Sequence, residues 1–264
     1  MNFFIPILIF TSIGLISAVS LVIISIVMNI PKDEKLKKVL EILPGANCGA
    51  CGFSGCESYA KALVSSKAEV GLCSPGGESV SQKLSKILKT EENFTSPKKA
   101  IVRCCTNNNV KNSNLQYQGL KSCAAICTLA SGTNSCDFGC LGFGDCVSVC
   151  QYGAISIKNG IAIVDQNKCV GCENCVKACP KNLIVLTDSK KQAINFCINT
   201  DNGALTRKVC TEGCIGCAMC VKVCKEGAIS MKQGVAVIDK DKCIACGKCV
   251  QVCKIGCIKL FDTH

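Results

Sequence analysis

Three stretches of this chain repeat one spacing of cysteine, C-x2-C-x2-C-x3-C: residues 169/172/175/179, 214/217/220/224 and 243/246/249/253. No other feature limits the fold as severely. Three thiols on one tight loop converge on a common side, and the fourth, on the following helical turn, points the opposite way. Neighbours three residues apart are poorly placed for the fixed geometry of a disulfide. The whole chain carries 27 cysteines in 264 residues, an odd number, and is far longer than the small secreted scaffolds that disulfides staple. Aromatic residues make up only 5% of it. Metal-bound groups, rather than large side chains, are expected to fill its interiors.

The metal follows from the spacing. A lone C-x2-C reads as zinc. In the complete run of bacterial two-cluster ferredoxins, three close cysteines hold one cubane and the fourth ligates the other. The chain also repeats itself: residues 153–165 match 227–239 at an offset of 74, each copy being two short strands about a Lys-Asn-Gly or Lys-Gln-Gly turn, a hairpin. At that offset Cys136, Cys140, Cys146, Cys150, Cys169, Cys172, Cys175 and Cys179 fall on Cys210, Cys214, Cys220, Cys224, Cys243, Cys246, Cys249 and Cys253.

Crossing the ligands gives four [4Fe-4S] clusters. Cys169, Cys172 and Cys175 pair with Cys150, and Cys136, Cys140 and Cys146 with Cys179. In the second copy Cys243, Cys246 and Cys249 pair with Cys224, and Cys214, Cys217 and Cys220 with Cys253. One position departs from the repeat: Phe143 stands where the second copy has Cys217. Cys136 is the expected substitute, which leaves either Cys210 or Cys217 spare; the regular spacing favours Cys217 as the ligand.

Upstream, Cys48, Cys51, Cys56 and Cys73 form a further set, C-x2-C-x4-C-x16-C. Helices are expected over residues 35–43, 57–70 and 79–88, the second bringing Cys73 back toward the other three. This set makes a fifth cluster. Cys104, Cys105, Cys123 and Cys127, beside an Asn-rich stretch (106–114) that reads as loop, fit no run in hand; with Cys210 they are the extra thiols available to a sixth. Cys257 is expected as a small buried side chain and Cys197 as structural.

Residues 3–28 are 26 residues without a charge, about 39 Å as a helix and enough to cross a ~30 Å hydrocarbon core. No basic residue precedes this run and no small-x-small site ends it, so it reads as a transmembrane anchor rather than a signal peptide. Lys32, Lys35, Lys37 and Lys38 follow. The positive-inside rule then leaves the N-terminus outside and the cysteine-bearing part in the cytoplasm, where thiols stay reduced.

The formal charge of +11 would suggest nucleic acid. Four thiolates on a cubane leave each site near −2, so five sites offset most of that charge, and no nucleic-acid partner is expected. There is no Walker loop, and the glycines at 139, 142 and 144 are not in a strand-to-helix setting. No bond-making catalytic residue is expected, and NAD or flavin would sit on another subunit.

The expected fold is α+β. An N-terminal transmembrane helix (1–30) leads to a small helical four-iron domain (31–90), and a linker holding cysteines (91–135) follows. Two tandem two-cluster ferredoxin-like units of short β-hairpin plus helix complete the chain (136–195 and 196–264).

The stretch Leu43-Pro-Gly-Ala-Asn-Cys-Gly-Ala-Cys-Gly-Phe-Ser-Gly-Cys56, with Tyr59-Ala60 and Cys73-Ser-Pro-Gly-Gly77, resembles the four-iron domain of the B subunit of Rnf electron-transport complexes; a similar domain occurs in corrinoid iron–sulfur proteins. The anchor, this domain, Val102-Arg-Cys104, Gly139-Cys-Leu-Gly-Phe-Gly-Asp-Cys146 and two ferredoxin units in that order resemble the Rnf B subunit along essentially the whole chain. The resemblance implies an electron-relay subunit of a membrane-bound, ion-translocating ferredoxin:NAD oxidoreductase. It implies reduced ferredoxin as donor, further membrane and cytoplasmic subunits as partners, and a [4Fe-4S] cluster on Cys48, Cys51, Cys56 and Cys73. A freestanding membrane-tethered polyferredoxin is the alternative. The family's runs usually end Cys-Pro; here only Cys179 is followed by proline, with Gln151, Lys225 and Lys254 in the other places.

Overall fold

The computed structural model describes residues 4–27, 34–91, 98–105, 118–129 and 136–262. In chain order its elements are α1 (Phe4–Val27), α2 (Glu34–Ile42), α3 (Cys56–Val64), α4 (Gly77–Leu88), β1 (Lys98–Val102), α5 (Cys123–Leu129), α6 (Asp145–Ser148), β2 (Ile155–Lys158) and β3 (Ile161–Val164). Then come α7 (Asn174–Ala178), β4 (Ile184–Asp188), β5 (Gln192–Asn195), α8 (Gly203–Val209), α9 (Met219–Val223), β6 (Ile229–Lys232), β7 (Val235–Ile238), α10 (Lys248–Val252) and β8 (Ile258–Phe261).

Helix α1 is uncharged, and every one of its described side chains is exposed. Among the described residues no helix is long and apolar enough to cross a membrane. Lys32 and the Asn-rich stretch 106–114 lie outside the described residues.

Helices α2, α3 and α4 pack round Val39, Leu43, Tyr59, Ala60, Leu63, Val70 and Leu84. Apolar positions at helical period on α2 and α4 supply this core, as the sequence suggests. Helix α3 stops six residues before the expected end. Ser66 turns left-handed (φ 55°), the Lys67 N–H closes back on the Ala62 carbonyl at 2.8 Å, and the Ser65 hydroxyl donates to that same carbonyl at 3.2 Å. A serine hydroxyl bonded back to the last turn, followed by a left-handed residue, ends a helix in this way.

The two repeats form the two expected hairpins. Ile155 pairs with Val164 in β2–β3, and Ile229 with Ile238 in β6–β7. Both turns need two left-handed residues, supplied by Asn159-Gly160 (φ 53° and 76°) and Gln233-Gly234 (φ 48° and 80°). The longer-range pairing departs from the sequence boundaries. Strand β1, which begins inside the expected linker, pairs antiparallel with β4, and β5 pairs with β8. Gln192–Asn195, expected at the end of the first unit, thus closes the second. Each unit has an outer strand pair and an inner hairpin, with its cysteines between them. A four-residue strand carries no local mark of its partner, so sequence repetition alone could not place these edges.

The two outer strand pairs pack on each other through Ile101, Ile194 and Phe261, with Val185 and Phe196 against them. Arg103 spans the junction, donating to the carbonyls of Asn195 and Cys197 at 3.3 Å each. The four-iron domain touches the first unit where the Ser74 hydroxyl donates to the Val170 carbonyl (3.1 Å) and Lys177 Nζ to the Cys48 carbonyl (3.4 Å).

Candidate functional site

Left-handed residues punctuate every cysteine loop. They are Gly171 and Glu173 (φ 67° and 68°), Gly216 and Ala218 (71° and 56°), Ala245 and Gly247 (55° and 75°), and in the irregular run Gly142 and Gly144 (75° and 86°). Alternating right- and left-handed residues aim successive N–H groups into a concavity that suits an anion. A Cβ on Gly142 would lie 2.5 Å from the Gly160 carbonyl oxygen, and one on Gly216 would lie 2.8 Å from that of Gly234. Each of these two loops is therefore seated directly on its hairpin turn.

Sulfur atoms accept backbone N–H bonds: Ala100 N–H to Cys169 Sγ and Ala154 N–H to Cys150 Sγ, both at 3.3 Å. Such donors favour a thiolate over a thiol. Concave loops, buried sulfurs and N–H donors together fit a four-thiolate [4Fe-4S] cluster, a net anion. No disulfide joins any of the 27 cysteines, all of which are described. Among the described residues no group of three or more His, Cys, Asp or Glu stands close enough to hold one metal ion. A cubane spreads its thiolates round a four-iron core, and the groups below share clefts, hydrogen bonds and mutual electrostatics.

In the four-iron domain, burial and then the charges of Cys56, Cys51 and Cys48 push the Cys73 thiol up to about 11, against a hydrogen bond from the Gly76 N–H. These four lie together. Tyr59 packs on Phe53 beside them and donates to the Glu69 carbonyl at 2.9 Å. In the first unit burial and the charges of Cys169, Cys172 and Cys150 raise Cys175 to about 11. Cys172 also feels Cys48 as well as Cys150 and Cys169, with burial its largest influence. The loop that carries Cys172 meets the four-iron group where Ser74 bonds the Val170 carbonyl and Lys177 that of Cys48.

The irregular run differs from expectation. Burial first, then Cys140, Cys123 and Cys179, push Cys146 up to about 12. Cys123 is held there by Asp145, whose carboxylate accepts from the N–H groups of Cys123 (2.9 Å) and Ala124 (3.0 Å) and from the Ser122 hydroxyl (2.9 Å). Burial works against that carboxylate's charge, but these bonds hold it below its ordinary range. Cys136 lies elsewhere: its neighbouring thiols are Cys210, Cys104 and Cys197. The sequence contained one clue, since Asp145 adjoins Cys146, but nothing in it said which N–H groups that carboxylate would meet.

In the second unit Cys224, Cys243, Cys246 and Cys249 line one cleft. Cys220 feels burial, then Cys214 and Cys217. Cys257, 2% exposed, is more than filler. A hydrogen bond with Cys257 is the main influence lowering the Cys214 thiol, helped by N–H groups of Ala236 and Gly216 and opposed by burial. The Cys257 sulfur also lies 3.6 Å from that of Cys253. Cys197, expected as structural, is buried beside Cys214 and Cys210. Cys104 and Cys105 line a cleft with Cys136, Cys197 and Cys210. Cys127 lies half-buried on α5.

This arrangement defines an iron–sulfur protein with a small helical cluster domain and two ferredoxin-type dicluster units. Family models agree: an Fe-S cluster family matches residues 43–75, and the 4Fe-4S dicluster domain matches 135–183 and 213–257. The chain belongs to the family of B subunits of ion-translocating (Rnf) oxidoreductase complexes. It is 37% identical over 230 residues to the B subunit of the Na(+)-translocating ferredoxin:NAD(+) oxidoreductase complex of Acetobacterium woodii, covering 87% of this chain and 69% of that one. It is 36% identical to the B subunit of the ion-translocating oxidoreductase complex of Methanosarcina acetivorans, covering 87% of each chain. Identity is 35% to the B subunit of the proton-translocating ferredoxin:NAD(+) oxidoreductase complex of Clostridium ljungdahlii, with 87% of this chain and 82% of that one covered.

Proposed function

We propose that this chain is the electron-relay subunit of a membrane-bound, ion-translocating ferredoxin:NAD oxidoreductase. It takes electrons from reduced ferredoxin and passes them toward NAD-reducing and membrane subunits. The observation that carries the reading is the contact of cysteine loops across domain borders, with Ser74 bonding the Val170 carbonyl and Lys177 that of Cys48, and the two ferredoxin units joined through Arg103. When bound, [4Fe-4S] clusters supply one-electron exchange without bond making. The chain's own residues fix their positions and supply N–H donors to the sulfurs.

Five sites follow: Cys48, Cys51, Cys56 and Cys73; Cys150, Cys169, Cys172 and Cys175; the group round Cys140, Cys146 and Cys179; Cys214, Cys217, Cys220 and Cys253; and Cys224, Cys243, Cys246 and Cys249. We place the divide between the ferredoxin units at residues 189–191, where strand pairing changes partner, and assign β1 to the first unit. The uncharged, exposed α1 is proposed as a single membrane anchor with its N-terminus outside and the cluster domains cytoplasmic.

The full chain, purified in detergent without oxygen, is expected to be brown, to carry at least about 20 iron atoms, and to bleach when reduced ferredoxin is added. A preparation with zinc and almost no iron would overturn the reading. Bleaching by dithionite but not by reduced ferredoxin would remove ferredoxin as the donor. Purification with no integral-membrane partner would favour a freestanding polyferredoxin.

A further inference from the structure

The five groups leave over a set of thiols that the relay has not used. Cys104, Cys136, Cys197 and Cys210 come from four separate places in the chain, and all line one cleft at the junction of the two ferredoxin units. Cys136, Cys197 and Cys210 are all buried. Cys136 has Cys210, Cys104 and Cys197 as its neighbouring thiols, and Cys197 has Cys214 and Cys210.

The repeat gives the set a symmetry. At the offset of 74 Cys136 corresponds to Cys210 and Cys123 to Cys197. In the first copy Phe143 replaces a ligand, and Cys123 is held beside Cys146 by Asp145. In the second copy Cys217 is present, so Cys197 is not needed there and turns to the junction.

We propose a sixth [4Fe-4S] site held by Cys104, Cys136, Cys197 and Cys210, with Cys123 completing the group of Cys140, Cys146 and Cys179 in place of Cys136. Four thiolates are the number a cubane takes. The polar groups at the junction suit an anion. The Asn199 N–H points at Cys197 Sγ (3.5 Å), and the Asn199 side-chain amide, 2% exposed, points at Cys136 Sγ (3.8 Å). The half-buried guanidinium of Arg103 sits next in sequence to Cys104 and bonds the Cys197 carbonyl. Cys105 is not a ligand: its S–H donates to the Glu212 carbonyl at 3.4 Å.

The position gives the site its role. Cys104 packs against the same core as Cys140 in the first unit, and Cys197 lies in the same core as Cys214 in the second. A cluster here bridges the two units, joining them where the apolar strand interface and Arg103 already hold them together.

The proposal rests on the cluster-relay reading, and iron stoichiometry separates the two. The full chain in detergent is reconstituted anaerobically with ferrous iron and sulfide, then assayed for iron, acid-labile sulfide, zinc and reduced-state EPR spins. The wild-type chain is expected to hold about 24 irons, four per cluster. The Cys136→Ala/Cys210→Ala and Cys104→Ala/Cys197→Ala pairs are each expected to hold about 20, and the quadruple variant to hold the same number. Cys105→Ala should keep the full count. Adding Cys123→Ala and Cys179→Ala to the quadruple variant should remove about four more irons. About 20 irons in the wild type, or zinc in place of the sixth set, would overturn the sixth site while leaving the relay intact. So would a Cys104→Ala/Cys197→Ala pair with undiminished iron. Almost no iron in any variant would overturn the relay reading itself. Spins retained from the remaining clusters distinguish ligand loss from misfolding.

Discussion

At the scale of the residue, two side chains control sulfur atoms they were not expected to touch. Asp145 fastens the first turn of α5 through two N–H groups and a hydroxyl. Its replacement by alanine is expected to cost about 1 kcal/mol, the usual worth of such a cap. The same variant should release iron from the group containing Cys146 before the others, read as EPR spin loss on dilution into chelator. Cys257 acts on Cys214 through an S–H donor. A donor stabilises the more negative, reduced state more than the oxidised one, so its loss lowers the potential. For Cys257→Ala a hydrogen bond of roughly 1 kcal/mol corresponds to a drop of about 40 mV for one electron. An EPR-monitored redox titration would measure it, and an unchanged potential would count against the contact.

At the scale of the element, the loops depend on glycine for two different reasons. Gly142 is left-handed and its Cβ position is filled by the Gly160 carbonyl, whereas Gly227 is left-handed (φ 59°) with open space around it. Gly227→Ala should therefore carry only backbone strain, about 1 kcal/mol. Gly142→Ala adds displacement of the hairpin turn and should cost up to about 3 kcal/mol. Thermal melting of the reconstituted chains should rank them in that order. Hairpins and cysteine loops were legible beforehand because their signals are local: a Gly at the turn, a fixed spacing of sulfur. The partners of β1 and β5 were not, since four- and five-residue strands owe their pairing to cores assembled from distant segments.

At the scale of the whole molecule, the chain is a string of cysteine-lined compartments held edge to edge. Arg103 fastens the junction by two carbonyl bonds. Arg103→Met keeps much of the apolar stem but not the donors, and its loss should weaken the contact of the two ferredoxin units by about 2 kcal/mol. Greater hydrogen exchange along β1 and β5 than in the two hairpins would register that loosening. Removing residues 1–30 should leave iron content unchanged and transfer the chain from the membrane to the soluble fraction. Retention in the membrane would show that partner subunits, not α1, hold it there.

The order of parts, the tandem repeat and the chemistry of the cysteine runs were set by the sequence alone, because thiol spacing on a tight loop decides what several sulfurs can share. Which isolated thiols stand together was decided by tertiary structure. Cys123 and Cys136 are both near the irregular run in sequence, yet Asp145 draws one to Cys146, and the packing of the two strand pairs carries the other to Cys210. Local spacing cannot carry that information, since the distance between Cys104 and Cys197 is fixed only when the two ferredoxin units close on each other.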